Sequence, residues 1–385
     1  MTAPAPGRRV MISCGEASGD LYAGALVRAM RSIDPRVSAF GFGGGQLQAA
    51  GAELVGDYRG LSVTGLTEVI RKLPASFRML RTLRKEAAAR RPDVFVAIDF
   101  PDFNFRLLPA MRNLGIPVVY YVSPQLWAWR SGRIHTIKQF VSRMLVIFPF
   151  EAAIYEKAGV PVDFVGHPLV DLAVARRDRA AVLAGAGLRV DQPVVAVLPG
   201  SRPNELREIL PTLADAALLM AQQRPGIQFL VARAPALADH LFAPLTRLAT
   251  AGVPHAVLEG VTDDVLGAAD VVVTASGTAT IQTALHGRPM VVVYRLSPVT
   301  FMIGRPFVRV HTYGMVNLVA GRPIVPELIQ DRFTPDATAR EVLSLLTDPD
   351  RARDMRTALD DVRRRLGAPG ASARAAAAVL GLRMG

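Results

Sequence analysis

Short apolar runs alternate with longer amphipathic stretches along the 385 residues of the chain. The short runs are rich in Val and Ile, and nearly every position in them is apolar. Such continuity is typical of strands that are buried on both faces of a parallel sheet. We therefore predict nine strands: Arg9–Cys14, Ala39–Phe42, Val94–Ile98, Val118–Val122, Met144–Ile147, Val194–Leu198, Gln228–Ala232, Val271–Val273 and Met290–Tyr294.

The stretches between the strands have helical periodicity, as in Leu21–Ile33 and Leu107–Leu114. Strands that alternate with helices predict an α/β fold built from βαβ units. The strand series starts at Val10 and starts again at Val194, after a basic stretch rich in Gly and Pro. We therefore predict two Rossmann-like domains with parallel sheets facing a central cleft. The predicted boundaries are 1–170, 171–346 and a helical tail at 347–385, which we expect to pack on one of the halves.

Half of the residues are hydrophobic, yet no uncharged run reaches the roughly 20 apolar residues that a membrane-spanning helix needs. The N-terminus lacks the apolar core and cleavage site of a signal peptide. We therefore expect a cytoplasmic protein, with peripheral membrane association left open. A single cysteine, Cys14, excludes a disulfide scaffold and a multi-cysteine zinc site. The six histidines have no metal-ligand spacing, so we predict no bound metal or cofactor.

The formal net charge is +12, and arginine carries nearly all of the positive charge because lysine occurs only at 72, 85, 138 and 157. Arginine binds phosphate through a planar, two-pronged guanidinium. The charge therefore suits an anionic partner such as nucleic acid, an anionic membrane or a phosphorylated substrate. A genome biased towards arginine and alanine codons would give the same balance, so charge alone does not choose among these partners.

Two turns in the second half are candidates for binding a diphosphate. The turn Ser276–Thr278 joins a strand to a helix, and no acidic residue lies between Val271 and Gly287. A helix start presents free N–H groups and a partial positive charge, although an ordinary helix cap would show the same sequence. The turn Gly200–Arg202 also follows a strand and adds a guanidinium. Because ligands bind at the carboxyl edge of such sheets, the two turns together predict a nucleoside diphosphate site.

In the first half, the stretch IDFPDFNFR ends a strand with two carboxylates, Asp99 and Asp102. We expect Asp99 to carry the chemistry, because it emerges where the strand stops, and Asp102 to cap a helix that starts near Asn104. A later loop combines Trp127 and Trp129 with several basic residues. Aromatic and basic side chains of this kind stack on nucleic acid or line a pocket for a phosphorylated sugar or an acyl chain.

Ten short stretches, spread over about residues 10 to 330, match motifs of one protein family and occur in the same order as in that family. SPQLWAW and IDFPDFN are the most diagnostic. The stretches are GEASGD (15–20), GGGQLQAAG (43–51), VTGLTEV (63–69), IDFPDFN (98–104), YYVSPQLWAWR (120–130), PFE (149–151), FVGHPLVD (164–171), LPGSRPNE (198–205), ASGTAT (275–280) and GRPIVPELIQ (321–330). The chain resembles the lipid-A-disaccharide synthase family, the inverting enzymes of glycosyltransferase family 19.

The resemblance implies a GT-B architecture with a C-terminal helix that crosses back to the first domain. It also implies the joining of UDP-2,3-diacylglucosamine to 2,3-diacylglucosamine 1-phosphate (lipid X). The products are the β-1,6-linked disaccharide 1-phosphate and UDP. In this fold class a helix dipole and basic groups commonly replace a metal, so the resemblance too implies no cofactor.

The resemblance and the residue chemistry together assign Asp99 as the base and Arg202 as the group that stabilises the leaving diphosphate. The family usually has glutamate where this chain has Gln282, which puts the contact with the UDP ribose in doubt. The expected donor site comprises Gly200, Ser201, Arg202, Glu205, Ser276, Gly277, Thr278, Gln282, Asn317 and Glu327. The expected acceptor site comprises Gly15, Glu16, Ser18, Gly19, Asp102, Asn104, Gln125 and Trp127.

The stretch SCGEASGD (Ser13–Asp20) lies where a phosphate loop would lie, but its acids repel phosphate. In the acceptor half, Gly15 and Gly19 would let the turn approach a sugar closely. Glu16 and Asp20 would then accept hydrogen bonds from hydroxyls or serve as helix-start acids, and Asp20 is more suited to the helix start.

The segment Leu66–Arg91 mixes apolar and basic residues, as membrane-surface helices do. We predict that part of its apolar surface enters an anionic inner membrane, although a helix packed on the sheet with a solvated basic face would have the same pattern. The candidate membrane residues are Leu66, Val69, Ile70, Leu73, Phe77, Arg78, Arg81 and Lys85.

Two other functions fit parts of the pattern. Another UDP-sugar enzyme of the GT-B fold, such as a lipid II-type N-acetylglucosaminyltransferase or a UDP-sugar epimerase, would share the glycine turns and the charge. A non-enzymatic nucleic-acid-binding protein would share only the charge, and it leaves both phosphate turns unexplained, so we expect no nucleic-acid partner. The sequence leaves open whether the chain forms a homodimer.

Overall fold

The computed structural model describes residues 7–60, 66–126, 132–235, 237–296 and 314–381. The chain divides into two compact units. Unit 1 consists of Met1–Pro168 together with Leu366–Gly385, and unit 2 consists of Leu169–Arg365. Among the described residues, no helix is both long and apolar enough to cross a bilayer.

The described part of unit 1 contains one parallel sheet of seven strands. The strands are β1 (Arg9–Cys14), β2 (Ser38–Gly43), β3 (Glu53–Asp57), β4 (Val94–Ile98), β5 (Val118–Tyr121), β6 (Arg143–Val146) and β7 (Val162–Phe164). Their order across the sheet is β3-β2-β1-β4-β5-β6-β7. The central strands β4 and β5 are buried at every position, which explains their uninterrupted apolar sequence.

Helices cover both faces of this sheet, as the βαβ pattern requires. They are α1 (Ala17–Ile33), α2 (Gly45–Ala49), α3 (Leu66–Arg90), α4 (Pro101–Asn104), α5 (Leu108–Asn113), α6 (Arg133–Phe140) and α7 (Pro149–Lys157). The hydrophobic core of the unit includes Met11, Phe95 and Tyr120 from the sheet, with Leu83 of α3 packed against them.

Unit 2 repeats the scheme, with six parallel strands in its described residues. They are β8 (Val194–Leu198), β9 (Gln228–Arg233), β10 (His255–Glu259), β11 (Val271–Ala275), β12 (Met290–Tyr294) and β13 (Glu327–Ile329). Their order is β10-β9-β8-β11-β12-β13. This is the strand order of a dinucleotide-binding Rossmann fold.

Some helices of unit 2 begin with standard start signals; for example, Thr334 accepts a hydrogen bond from the Ala337 amide and Pro335 takes the first helical position. They are α8 (Leu169–Leu172), α9 (Arg179–Gly185), α10 (Pro203–Gln223), α11 (Thr246–Thr250), α12 (Thr262–Ala268), α13 (Thr278–Leu285), α14 (Met315–Ala320), α15 (Pro335–Thr347) and α16 (Pro349–Arg365). Short 3₁₀ helices lie at Tyr58–Gly60, Asp239–Leu245 and Gln330–Arg332.

The last described helix, α17 (Ala371–Gly381), belongs to unit 1 and packs against α1. The chain returns to unit 1 at Leu366, and not at residue 347 where the tail was predicted to begin. The boundary is later because α16 packs against α13, α14 and α15 and so belongs to unit 2. Only the second part of the expected helical tail therefore joins the first domain.

Each sheet has one point where the strand order reverses. In unit 1 this point lies between β1 and β4, where Cys14 pairs with Ile98. In unit 2 it lies between β8 and β11, where Leu198 pairs with Thr274. Ligands of open α/β sheets bind outside the carboxyl ends of strands at such points. We therefore expect the functional residues in the turns that follow β1, β4, β8 and β11.

Candidate active site

Asp99 lies directly after β4, at the reversal point of unit 1. Its φ is 45° and that of Phe100 is 48°, so two consecutive residues adopt the left-handed region without being glycine. The Asp99 amide donates a hydrogen bond to the Tyr121 carbonyl across the sheet (3.1 Å). Non-glycine residues pay a steric cost in this region, and such residues cluster at functional sites.

The backbone carbonyl of Asp99 accepts two hydrogen bonds. One comes from the Tyr120 hydroxyl (2.7 Å) and the other from Asn104 Nδ2 (2.8 Å). Asn104 is fully buried, and its Nδ2 also lies within 3.4 Å of the carbonyls of Ser13 and Ile98. Its Oδ1 accepts a hydrogen bond from Ser13 Oγ (2.6 Å). The side chain of Asn104 therefore ties the ends of β1 and β4 together, whereas its predicted contact with a sugar stays a prediction.

Gly15 lies beneath the Phe100 ring. A Cβ atom at this position would come within 2.2 Å of that ring, so Phe100 can occupy its place only because residue 15 is glycine. The ring in turn stacks on Phe103 at 5.3 Å. Gly19 faces the ends of β1 and β4, since its added Cβ would touch Cys14 and Ile98 at ordinary contact distances. Packing therefore requires glycine at position 15, whereas position 19 has room for a Cβ atom.

Asp102 forms an ion pair with Arg133 at the start of α6. The prediction that Asp102 caps a helix starting near Asn104 is wrong. The left-handed turn at Phe100 lets α4 start earlier, at Pro101, so Phe100 takes the cap position and no side chain caps this helix start. The Asp102 side chain is 66 % exposed.

Asp20 serves a helix start, but not that of its own helix. It is buried in the first turn of α1, and its carboxylate accepts hydrogen bonds from the amides of Gly44, Gln46 and Leu47 at the start of α2 (2.8–3.0 Å). Three further residues of the expected acceptor set are described. Glu16, at the cap position before α1, and Ser18 are half-buried, whereas Gln125 is exposed. Trp127 lies outside the described residues.

In unit 2, the turn Gly200–Arg202 is organised by Glu205. Its Oε2 accepts hydrogen bonds from the amides of Ser201 (2.9 Å) and Arg202 (3.2 Å), and its Oε1 accepts one from the Arg202 guanidinium (3.1 Å). A Cβ atom on Gly200 would lie 2.5 Å from the Glu205 carboxylate, so glycine is needed here. The Arg202 side chain is 49 % exposed. Burial and the nearby Glu205 raise the pKa of Tyr294, which ends β12 beside this turn.

The second turn of unit 2, Ser276–Thr278, opens α13. Gly277 is the cap residue, has a φ of 146°, and has no atom within 4 Å of the place where its Cβ would be. The Thr280 hydroxyl donates to the Gly277 carbonyl (2.8 Å), which fixes the first helical turn. Both turns therefore lie beside the reversal point between β8 and β11, at the same edge of the sheet, which is where the sequence placed them. That they bind a nucleoside diphosphate stays a prediction.

Gln282 follows one turn further along α13, and its Nε2 donates a hydrogen bond to Asp263 Oδ1 (2.7 Å). His286 Nε2 lies 2.9 Å from the same oxygen. Sequence reasoning missed Asp263 and His286, because Asp263 comes from the first turn of α12 and approaches α13 only in the folded unit. The i, i+4 spacing of Gln282 and His286 on one helix face was the only local signal.

Asn317 and Glu327 are in direct contact. The Asn317 Nδ2 donates to Glu327 Oε1 (2.8 Å), which also accepts from the Gly314 amide (2.9 Å). Asn317 is buried, and its Oδ1 accepts hydrogen bonds from the amides of Ile324 and Val325 (2.8 and 3.0 Å). The structure therefore brings this predicted pair together, with Asn317 holding the segment that leads into β13.

The candidate membrane helix α3 has two different faces. Leu80 and Leu83 are buried in the core of unit 1, whereas Leu73 and Phe77 are 38 % and 47 % exposed. The Arg106 guanidinium lies over the Phe77 ring at 5.2 Å. The basic candidates Arg78, Arg81 and Lys85 are exposed. The side chains of the apolar candidates Leu66, Val69 and Ile70 lie outside the described set.

Solved structures with the same fold include glycosyltransferases and UDP-sugar enzymes. The glycotransferase of kitacinnamycin matches with a TM-score of 0.61 at 20 % identity, covering 98 % of this chain and 99 % of that one. Anabaena HepE, solved in complex with UDP and glucose, matches with a TM-score of 0.60 at 14 % identity, covering 97 % and 99 %. The UDP-GlcNAc 2-epimerase of Neisseria meningitidis matches with a TM-score of 0.66 at 12 % identity, covering 92 % and 97 %. The chain thus has the GT-B architecture, with two Rossmann-like domains.

Sequence comparison gives the family. Residues 10–380 match the family model for lipid-A-disaccharide synthetase. The lipid-A-disaccharide synthase of Geobacter metallireducens is 43 % identical over 376 residues, covering 98 % of this chain and 97 % of the relative. That of Myxococcus xanthus is 43 % identical over 374 residues, covering 97 % of each chain. The chain belongs to the lipid-A-disaccharide synthase family, whose members are glycosyltransferases that use a UDP-sugar donor and a lipid acceptor. This membership decides against a lipid II-type transferase, a UDP-sugar epimerase and a non-enzymatic protein as alternatives.

Proposed function

We propose that the chain transfers 2,3-diacylglucosamine from UDP-2,3-diacylglucosamine to the 6-hydroxyl of lipid X, giving the β-1,6-linked disaccharide 1-phosphate and UDP. Family membership supports the reaction. The observation that carries the site is the placement of Asp99, at the carboxyl end of β4 in a left-handed turn. A carboxylate at a sheet reversal point suits a base that acts on a bound hydroxyl.

In the proposed mechanism, Asp99 takes the proton of the acceptor 6-hydroxyl as that oxygen attacks C1 of the donor sugar. Attack from the face opposite UDP inverts the configuration at C1, through an oxocarbenium-like transition state. Negative charge then grows on the departing diphosphate. The Arg202 guanidinium and the first-turn amides of α13 stabilise this charge. Arg202 is suited to this role because nearly half of its side chain is exposed while Glu205 orients it.

The remaining predicted contacts fall into two groups. On the acceptor side, Glu16 and Asp102 would accept hydrogen bonds from sugar hydroxyls, with help from Ser18, Gln125 and Trp127. On the donor side, Gln282 would bind the ribose, and the Asn317–Glu327 pair would line the sugar site. Asn104 and Gly15 have partners inside unit 1, so we give them a supporting place around Asp99.

The test of the base is disaccharide formation from the two acyl-sugar substrates by the native chain and by Asp99→Asn. Loss of a general base costs about 10²–10⁴-fold in rate, so we expect a decrease in kcat of that order. The substitution keeps the size of the side chain, so UDP should still raise the melting temperature of the variant. Normal turnover by Asp99→Asn would remove Asp99 as the base.

The test of the donor site is the UDP-dependent shift in melting temperature, measured in excess EDTA. A ligand that binds the folded state stabilises it in proportion to the logarithm of its concentration over Kd. We expect UDP to stabilise the native chain without metal and to stabilise Arg202→Ala much less. The absence of any shift with the native chain would contradict the proposed site.

We also propose that the exposed part of α3 attaches the protein to the anionic inner membrane, where both acyl substrates lie. Leu73 and Phe77 are large apolar side chains exposed next to the exposed bases Arg78 and Arg81. Apolar side chains flanked by basic ones favour binding at an anionic lipid surface.

A further inference from the structure

We propose that Ser13, Asn104 and Tyr120, which we call the carbonyl clamp, are positioning residues that hold Asp99 where it can act as the base. The inference rests on the proposed role of Asp99. It concerns the backbone of that residue, which the clamp contacts at the carbonyl oxygen through Asn104 and Tyr120.

The turn at Asp99 needs such support. Non-glycine residues in sparsely populated backbone regions cost of order 1–3 kcal/mol each and persist only where their surroundings determine them. Asp99 and Phe100 occur one after the other in the left-handed region. Glycine would make the same turn at little cost. Aspartate at position 99 therefore costs backbone strain that glycine would avoid, and what it adds is a carboxylate at the end of β4.

The clamp uses the full acceptor capacity of one carbonyl. A carbonyl oxygen has two lone pairs, and that of Asp99 receives one hydrogen bond from Tyr120 and one from Asn104. Burial, and then the charge of Asp99, raise the pKa of the Tyr120 hydroxyl, so it stays protonated and able to donate. With both bonds made, rotation of the Asp99–Phe100 peptide would break the hydrogen bond of the buried Tyr120 hydroxyl and the shortest hydrogen bond of Asn104 Nδ2, which is costly.

Backbone carbonyls determine which way the Asn104 amide points. Nδ2 must face the carbonyls of Ser13, Ile98 and Asp99, because these groups only accept hydrogen bonds. The Ser13 hydroxyl then donates to Oδ1 and holds the other end of the amide. On the other side of the turn, the Phe100 ring fills the space left by Gly15. Residues at or near the ends of β1, β4 and β5 therefore all help to fix the backbone conformation of Asp99.

The experiment compares Tyr120→Phe with Tyr155→Phe. Both tyrosines are buried in unit 1 and both hydroxyls make one short hydrogen bond, but the partner of Tyr155 is Ser123 Oγ (2.6 Å) and not Asp99. Misplacing a reacting group by about 1 Å costs up to about 100-fold in rate. We expect Tyr120→Phe to lower kcat by about tenfold or more, with KM for lipid X within about twofold, because a base acts only in the transition state. Tyr155→Phe should keep kcat within about twofold of the native value.

A double substitution separates positioning from folding. If Tyr120 acts through Asp99, Tyr120→Phe has no further effect on kcat once Asp99→Asn has removed the base. Ser13→Ala, which removes the hydrogen bond that anchors Asn104 Oδ1, should reproduce the effect of Tyr120→Phe in weaker form. In each variant the UDP-dependent thermal shift confirms that unit 2 is intact.

Three results would overturn the clamp. One is an equal loss of kcat in Tyr120→Phe and Tyr155→Phe, and another is a Tyr120→Phe effect that persists undiminished with Asp99→Asn. The third is unchanged kcat in both Tyr120→Phe and Ser13→Ala. Failure of the proposed base itself would show separately, as normal turnover by Asp99→Asn alone.

Discussion

The contact between Gln282 and Asp263 determines the charge at this part of α13. An amide and a carboxylate at 2.7 Å form a favourable hydrogen bond, and His286 Nε2 lies 2.9 Å from the same oxygen. A glutamate at 282, as the family resemblance would suggest, would bring two carboxylates together in a half-buried place. In this chain the negative charge therefore belongs to Asp263, and residue 282 is its neutral partner.

We predict that Gln282→Glu weakens UDP binding, although the family resemblance would suggest glutamate at this position. The new carboxylate would be repelled by Asp263 and would have to turn away or take up a proton. We expect Kd for UDP, measured by isothermal titration calorimetry, to rise by about tenfold, equivalent to about 1.4 kcal/mol.

The paired substitution Asp263→Asn with Gln282→Glu is the matched control, because it exchanges the two chemical groups. It should restore much of the affinity that Gln282→Glu loses. Tighter binding by Gln282→Glu alone would show that Asp263 does not govern this position.

His167 gives a prediction on pH. Its ring is buried against Tyr22 and Phe148, and burial lowers its pKa from 6.5 to about 3. Between these values the unfolded chain binds a proton that the folded chain excludes, so stability is highest above about pH 6.5 and falls as the pH drops. The expected slope is at most about 1.4 kcal/mol per pH unit. Urea unfolding at pH 7, 6 and 5 should show a shallower decline for His167→Gln than for the native chain, and equal slopes would contradict the assignment.

Residue roles were predictable where they depend on chemical type and on the end of an element. The sequence places Asp99 at a strand end and the two glycine turns before helices, and the structure has them there. It does not reveal partners that fold in from elsewhere. Asp102 pairs with Arg133 of α6 and Asp20 caps α2, because the acceptors and donors that decide these roles lie on other elements.

Strand prediction succeeded in the middle of each sheet and failed at the edges. All nine predicted strands are present with bounds within two residues. The four that the apolar pattern missed are β3, β7, β10 and β13, which are the edge strands of the two sheets. Edge strands are partly exposed, as in β10, where no residue is buried. Their sequences therefore lack the continuous apolar run by which central strands are recognised.

Helix α17 gives a prediction at the scale of the element. Ala376 is buried where α17 packs with unit 1, whereas the next residue, Ala377, is exposed. Ala376→Asp would bury a charge without a partner, which we expect to cost about 3 kcal/mol or more. Ala377→Asp is the matched control and should change stability by less than about 0.5 kcal/mol. Denaturant unfolding of both variants checks this, and equal stability would mean that α17 does not pack as described.

At the scale of the whole molecule, the net charge of +12 and the exposed bases of α3 predict salt-sensitive binding to anionic lipid. Reversing Arg78, Arg81 and Lys85 to glutamate should abolish flotation with vesicles that contain anionic phospholipid at low salt. Each basic residue near such a surface contributes about 1 kcal/mol, so losing three should cost about 3 kcal/mol, which weakens binding by about 100-fold or more.

The control reverses three exposed arginines of α16, Arg353, Arg356 and Arg363, and so makes the same change in net charge in unit 2. It should bind vesicles nearly as well as the native chain. If both triple variants lose binding equally, attraction is a property of net charge and not of α3.

The position of α17 also fixes the order in which the protein can be made. Unit 2 is one continuous segment, Leu169–Arg365, whereas unit 1 needs Leu366 onwards to cover α1. During synthesis the ribosome therefore releases every residue of unit 2 before it releases the helix that completes unit 1. Domains often fold from the N-terminus as they emerge. In this chain, synthesis of unit 1 begins first and ends last. The surface of α1 that α17 covers therefore stays exposed while the whole of unit 2 is translated.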